Sequence, residues 1–404
     1  MAGATIATVS AILKDLYLPP VVEQLNNEIL LMQRLESRDQ EVTGNQAVVP
    51  LHTTRSSGIG ARGEDVALPA AGNQGFQRLT YDLKYLYGRG RVTGPSMSKT
   101  RNSTGAFLSV LEAEMDGLRT DIKLDTSRQT YGDGSAQIAV CGTTTAANLV
   151  VLGAGGAEAT RKGFLHVGMG VDIGTVADYD VIATNRTITA VDPVGATVTI
   201  DGAAVTTDGT HFITRSGNAV SNAIIYEIDG LRKLVSTAAN TVGGLSAVTY
   251  GYWDNMRTSL GGALTLDAFT QAYNQVEIAG GDCSLMIGSF GGQRALFNLL
   301  QGQVRYVEPM VIQGGFTALE YMGKPFIADR HHPFGQVDFL DEKFLKFFHD
   351  GEDWHFLDKD GDILKWVIGY DSWEFALAKY CQMGATRRNT QFLLYGITGD
   401  TNGY

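Results

Sequence analysis

Hydrophobic and polar positions along the chain change period several times, and each change marks an element. Val21, Val22, Leu25, Ile29, Leu30, Met32 and Leu35 fall close to helical spacing just after Pro19-Pro20, which predicts a short helix on an N-terminal arm. Leu79, Tyr81, Leu83, Tyr85 and Tyr87 alternate strictly, which predicts one strand with a single apolar and aromatic face. Before it lies a β-like stretch from Asn45 to Leu51, and between the two runs SSGIGARGEDVALPAAGNQGF, which has almost no period. The two strands and this tip form an extended hairpin. Its tip exceeds the usual hairpin loop, and loops of that length tend to be functional.

The clearest element follows Ser103, a candidate cap. Phe107, Leu111, Met115, Leu118 and Ile122 step by 4, 4, 3 and 4, one stripe along a helix of roughly seven turns that Gly132 and Gly134 end. From Phe164 to Arg215 short apolar alternations are broken by Gly, Asp and Asn, the pattern of a small β-barrel or sandwich inserted into a larger domain. Strand and helix then alternate through TLDAFTQAYNQVEIAGG, SLMIGS and GQRALFNLLQ, as in a layered α/β domain. The last part, from KPFIADR to FLLYGI, reads as an antiparallel meander with tight turns at Asp350-Gly351 and Asp360-Gly361.

Composition sharpens this picture. The 404 residues suffice for two or three cores, and 49 Gly against 9 Pro, well above the roughly 7% Gly that is average, favour turn-rich β structure. The net charge of -11 disfavours a phosphate-binding protein. The first twenty residues lack the basic start of a secretion signal, and no window is apolar enough to span a bilayer. Cys141, Cys283 and Cys381 are odd in number and far apart, the usage of reduced thiols in a cytoplasmic place of synthesis.

Four segments imitate chemical motifs. Gly153, Gly155 and Gly156, with Asp172 further on, copy a dinucleotide fingerprint, but too few helix-compatible residues follow to complete a βαβ unit. Asp358, Asp360 and Asp362 begin like a calcium loop, yet Ile363 stands where Gly is required and Gly369 where a Glu should close the site. Asp329, His331 and His332 offer metal ligands without a further one at a helpful spacing. Ser289 sits at a strand-to-helix turn, but Ile287 replaces the Gly of a nucleophile elbow, which leaves Ser289 as an N-cap. No enzyme signature survives, and neither a cofactor nor a metal is expected.

AGGDCSLMIGSFGGQRALFNLLQ, GGFTALEYMGKPFIADRHHP and LKWVIGYDSWEFALAKYCQMGATRRNTQFLLYGI, together with the order of elements, resemble the tailed-bacteriophage major capsid proteins of the Hong Kong 97 type. The resemblance implies an α+β capsid fold: an N-terminal arm (1–40), an extended loop lying across a neighbouring subunit (41–95), a peripheral domain with the spine helix (96–134), an axial domain (135–330) carrying a β insertion (164–215), and C-terminal strands completing the peripheral sheet (331–398). It implies a structural protein that assembles with itself, as hexamers and pentamers, into an icosahedral virion shell around double-stranded DNA in the bacterial cytoplasm. The DNA would be touched only non-specifically, with no membrane involved. A separate scaffolding protein is expected because the sequence lacks the long charged extension that serves some relatives, and a portal and a decoration protein are further partners. Arg62, Glu64 and Asp65 on the tip and Arg387 and Arg388 near the end are candidate intersubunit contacts.

Other readings are an encapsulin-type compartment with protein cargo, a nucleotide-binding enzyme using Gly153–Gly156, and a β-rich adhesin or tail component binding glycans through 164–215. Some relatives join loop Lys to a neighbour's Asn, but Ser56–Gln77 contains no Lys. The shell is therefore expected to be non-covalent: a reducing denaturing gel of assembled protein should show one band at 43.5 kDa, and a ladder of oligomers would contradict it.

Overall fold

The computed structural model describes residues 30–36, 40–42, 44–96, 104–175, 181–221, 224–301, 310–311, 317–351, 354–358 and 361–399. The arm's Val21, Val22, Leu25 and Ile29, the cap Ser103 and Asp360 lie outside them. What is described of the arm helix, Leu30–Glu36, buries Leu31, Met32 and Leu35. Arg34 ties it down through a two-pronged pair to Glu342, Nε to Oε1 2.6 Å and Nη2 to Oε2 2.9 Å.

Strand and helix patterns sort into three layers. The long helix spans Thr104–Tyr131, about 42 Å at 1.5 Å per residue. Its stripe buries Met115 and Ile122 and half-buries Leu118 against the strand Lys84–Thr93. That strand pairs along its whole length with Ser372–Ala385, which also holds Leu345–His349, His355–Phe356 and Lys365–Trp366. Gly88 permits the approach, since a Cβ there would lie 2.1 Å from Ile122 Cδ1.

A second sheet runs Met256–Gly262, Phe392–Ile397, Gln336–Leu340, Leu285–Gly288, Lys324–Ala328, Thr317–Tyr321 and Met310–Val311, mixed parallel and antiparallel. The helix Leu266–Ile278 packs Phe269, Ala272 and Val276 onto it and is capped by Thr265, whose hydroxyl accepts from Ala268 N at 3.2 Å. Ser289 likewise caps Phe290–Gln301, accepting from Gly292 N at 3.1 Å. The third layer is an antiparallel sheet of Ala139–Val140, His211–Arg215, Gly170–Thr175, Val181–Asp192, Thr197–Ile200 and Leu149–Val151, closed around its own core of Val150, Val171, Ile173, Ile188, Val198 and Ile213. We call it the β unit.

Three expectations need correction. The run Leu79–Tyr87 is two strands, Gly75–Asp82 and Lys84–Thr93, with Leu83 between them donating its N–H to Asn45 O. The extra residue shifts the phase, so Leu79, Tyr81, Leu83 and Leu86 are buried while Tyr85 and Tyr87 face outward. The β unit draws in Ala139–Val140 and Leu149–Val151 as well as strands from 164–215, because those earlier strands close its edges. Residues 331–398 do not stay in one sheet. Gln336–Leu340 and Phe392–Ile397 enter the second sheet, and the long run from Ser372 breaks at Thr386–Gln391, where the chain crosses from one sheet to the other.

Gly230 is where the helix end meets the second half of the chain. A Cβ there would fall 2.2 Å from Gln129 O and 2.5 Å from Gly132 O, backbone atoms that cannot swing aside. Gly230→Ala is expected to destabilise the fold by about 1–3 kcal/mol. An unchanged urea midpoint would show that the contact is looser than described.

Candidate intersubunit surfaces

Gln46–Thr54 and Gly75–Asp82 pair antiparallel from Gln46↔Asp82 to Thr54↔Gly75. At about 3.3 Å per residue they carry the loop 55–74 roughly 30 Å from its base. Burial is concentrated at that base, at Ala47, Leu79 and Tyr81, where the Tyr81 hydroxyl donates to Ala385 O at 2.7 Å. Toward the tip the hairpin has no core to join. Ile59 and Leu68 are 86% and 85% exposed, and Val66 and Phe76 are exposed too. Local bonds shape the loop: Gly58 N donates to Ser56 Oγ at 3.1 Å, and Arg62 donates to Ala61 O at 3.0 Å. Glu64 and Asp65 form an exposed turn with Asp65 in the left-handed region, φ 59°. Arg62, Glu64 and Asp65 thus stand together on the tip, although none of the large apolar side chains beside them was singled out by sequence pattern.

A second surface lies at the hairpin's root. The phase shift at Leu83 turns Tyr85 and Tyr87 outward, and both meet Tyr380 edge to face, with centroids 5.1 and 6.1 Å apart. Beside them, between the strand Lys84–Thr93, the long helix and Ile224–Tyr226, runs a groove of about 840 Å³ whose lining includes Tyr85, Tyr87, Leu118, Ile122, Ile224 and Tyr226. Its floor is charged: Asp125 lies between Arg128 and Arg215, and Arg128 reaches Glu227 with Nη1 to Oε2 at 3.0 Å. Burial alone would raise the Asp125 carboxyl, but the two guanidiniums outweigh it and hold its pKa below the usual carboxylate range.

The motif-like segments are spent on structure. Leu149–Val151 leads through Gly155, φ 78°, into the short helix Gly156–Arg161, but that strand pairs antiparallel with Thr197–Ile200, not in a βαβ unit. Asp172 accepts from Asn185 N, Gly217 N and Ser216 Oγ at 2.6–3.0 Å. Asp329 accepts from Tyr131 Oη at 2.7 Å, His331 Nδ1 lies 2.6 Å from Ser127 Oγ, and His332 Nε2 lies 2.7 Å from Asp338 Oδ2. Among the described residues no group of three His, Cys, Asp or Glu side chains is arranged to hold a metal. The three cysteines are buried thiols, and burial pushes Cys141 and Cys283 up to about 12. Gly361 takes φ 87° and donates to Asp358 O at 2.7 Å, a turn.

Arg388 is not an intersubunit contact, because no part of it reaches the surface. It donates to Leu234 O (2.7 Å), Trp253 O (3.3 Å), Asn240 Oδ1 (2.7 Å) and Asn255 Oδ1 (3.2 Å), gathering the segments 234–240 and 253–255 around one charge. Burial draws its pKa down to about 10, which leaves it protonated at neutral pH. Arg387 is partly exposed and donates to Ala279 O at 2.6 Å and Gly280 O at 3.1 Å, stabilising the C-terminus of Leu266–Ile278.

No family model and no curated protein sequence matches the chain. Among solved structures, the capsid asymmetric unit of cyanophage A-1(L) shares 12% identity over 92% of this chain and 93% of that one, with a TM-score of 0.57. The capsid of a native GTA particle shares 10% identity over 90% of each chain at a TM-score of 0.47. The SrpI encapsulin of Synechococcus elongatus PCC 7942 shares 8% over 90% and 87% at 0.46. The chain has the fold of a tailed-phage major capsid protein.

Proposed function

We propose that this chain is the subunit of an icosahedral shell, assembling with itself as hexamers and pentamers that enclose double-stranded DNA in a virion built in the bacterial cytoplasm. The observation that carries the reading is the hairpin tip. A segment held roughly 30 Å from its own core, with Ile59, Val66 and Leu68 in solvent, gains burial only from another molecule. Each such side chain contributes about 1.5–3 kcal/mol when fully covered, and a closed shell repeats the contact in every subunit, so weak pairs add through multivalency. The outward tyrosines and the groove beside them offer an apolar surface of the matching kind, with Arg62 and the exposed Asp121 carboxylate able to register the two.

The net charge of -11 suits a wall that does not adsorb the DNA it encloses. Among the described residues no helix is long and apolar enough to cross a membrane. A separate scaffolding protein, a portal and a decoration protein complete the proposal. The four acceptors that Arg388 gathers and the capped helices belong to the body, while the contacts fall to the exposed hairpin.

Replacing both Ile59 and Leu68 by Asp is expected to leave the subunit folded, with an unchanged circular-dichroism melt, and to abolish shells in sedimentation velocity. Shells of wild-type size from the double variant would remove the tip from the assembly contact.

A further inference from the structure

The C-terminal part of the long helix, the β unit and the segment 329–338 meet at a joint made of buried polar groups. The His331 ring is wedged between Ser127 of the helix and Phe164 of the β unit, with Nδ1 2.6 Å from Ser127 Oγ and the two rings stacked at 5.5 Å. Its Nε2 is buried and has no hydrogen-bond partner among the described residues. Next to it Lys162, itself buried, donates to His332 O at 2.6 Å, pairs with Glu158, and lies 4.4 Å from the Phe334 ring centroid. His332 shares Asp338 with Arg232.

The charges facing His331 are mainly positive. From the helix comes Lys123, from the β unit Lys162 with its partner Glu158, and from the segment itself Arg330. The opposing carboxylate is Asp329, Oδ1 3.9 Å from Nδ1, but Oδ1 already accepts from His331 N at 2.8 Å and Oδ2 from the Tyr131 hydroxyl. Asp125, Arg128, Arg215 and His166 line the adjoining part of the seam. A charged ring in this place would have an N–H at Nε2 aimed at no acceptor, with three cations around it. Such a group stays closed only while neutral.

We propose that His331 is a proton-operated latch: as a neutral ring it closes the joint between the β unit and the long helix, and its protonation opens that joint. Burial, opposed by Asp329 and reinforced by Arg330, Lys162 and Lys123, draws its pKa down to about 4 in the closed joint. In an open joint a solvated imidazole titrates near 6.5. Below about 6.5 the open form therefore binds a proton that the closed form refuses. The closed joint is fully stable above that pH and is lost progressively as pH falls toward 4, the opening constant rising by up to about tenfold per pH unit. The device lies within one chain and is independent of the shell reading.

Hydrogen exchange of the full-length protein, corrected for the intrinsic pH dependence of exchange, tests this. Between pH 6.5 and 4.5, peptides covering 120–131 and 156–166 should lose protection by up to about 40-fold, while 372–385 keeps its own. His331→Gln, which keeps a partner for Ser127 but does not titrate, should remove most of that dependence, and His166→Gln should retain it. An equal loss of protection in His331→Gln would overturn the latch. If that variant does not fold at neutral pH, the imidazole titration of the wild-type protein decides: an apparent pKa near 4 for His331 supports the latch, and one at or above 6 overturns it.

Discussion

The close seating of the long helix on the strand Lys84–Thr93 is the constraint from which the remaining geometry follows. At Gly88 the strand has no side chain and leaves room for Ile122 and Leu118, so the helix seats closely on the strand there. Because the strand is pinned between that helix and Ser372–Ala385, the point at which the hairpin leaves the body is fixed at Asn45 and Leu83. Because the helix is pinned, its C-terminal turns meet Gly230, the β unit and the segment 329–338 at one place. Removing the seat would loosen the hairpin's aim and the joint together.

Apolar and polar interactions divide the labour. Continuous apolar packing links the long helix, the first sheet and the inner face of the second, as Ile122, Phe375, Leu285, Ile287 and Leu393 belong to one core. The β unit has a core of its own and meets its surroundings through charged and hydrogen-bonded groups: Arg215 pairs with Asp125 of the helix, and Lys162 and Phe164 meet His332 and His331 of the segment 329–338. An apolar interface tolerates small shifts and is blind to protons, whereas a buried polar one is stable only while each group keeps its partner and protonation state. The proposed latch at His331 places such a polar contact at the edge of the β unit.

The sequence displayed this architecture where burial is one-sided and periodic. Met115, Leu118 and Ile122 announced the long helix, Ser289 announced its helix start, and the interrupted alternation of 164–215 announced short antiparallel strands. It concealed what depends on a single inserted residue or on distant partners. Leu83 continues the apolar alternation of Leu79 and Tyr81, so nothing in the pattern marks it as the residue that reverses the faces of Tyr85 and Tyr87. Arg387 and Arg388 are adjacent and identical in kind, yet one caps a helix near the surface and the other is wholly internal, because strand direction changes between them and the second sheet. Adjacent His331 and His332 suggested a ligand pair, and tertiary partners from three elements set their roles. On the hairpin tip nothing in the sequence pattern distinguishes Ile59 and Leu68, because their exposure follows from the hairpin standing clear of the core.

A two-sheet body, a projecting hairpin with exposed apolar side chains and a net negative charge are the features on which the proposed shell rests. The most direct measurement is electron cryo-microscopy of the full-length protein expressed with and without its neighbouring genes. The account predicts closed icosahedral particles of uniform size in which the 55–74 loop of each subunit is covered by another. A discrete monomer or small oligomer under both conditions, with the loop in solvent, would contradict it.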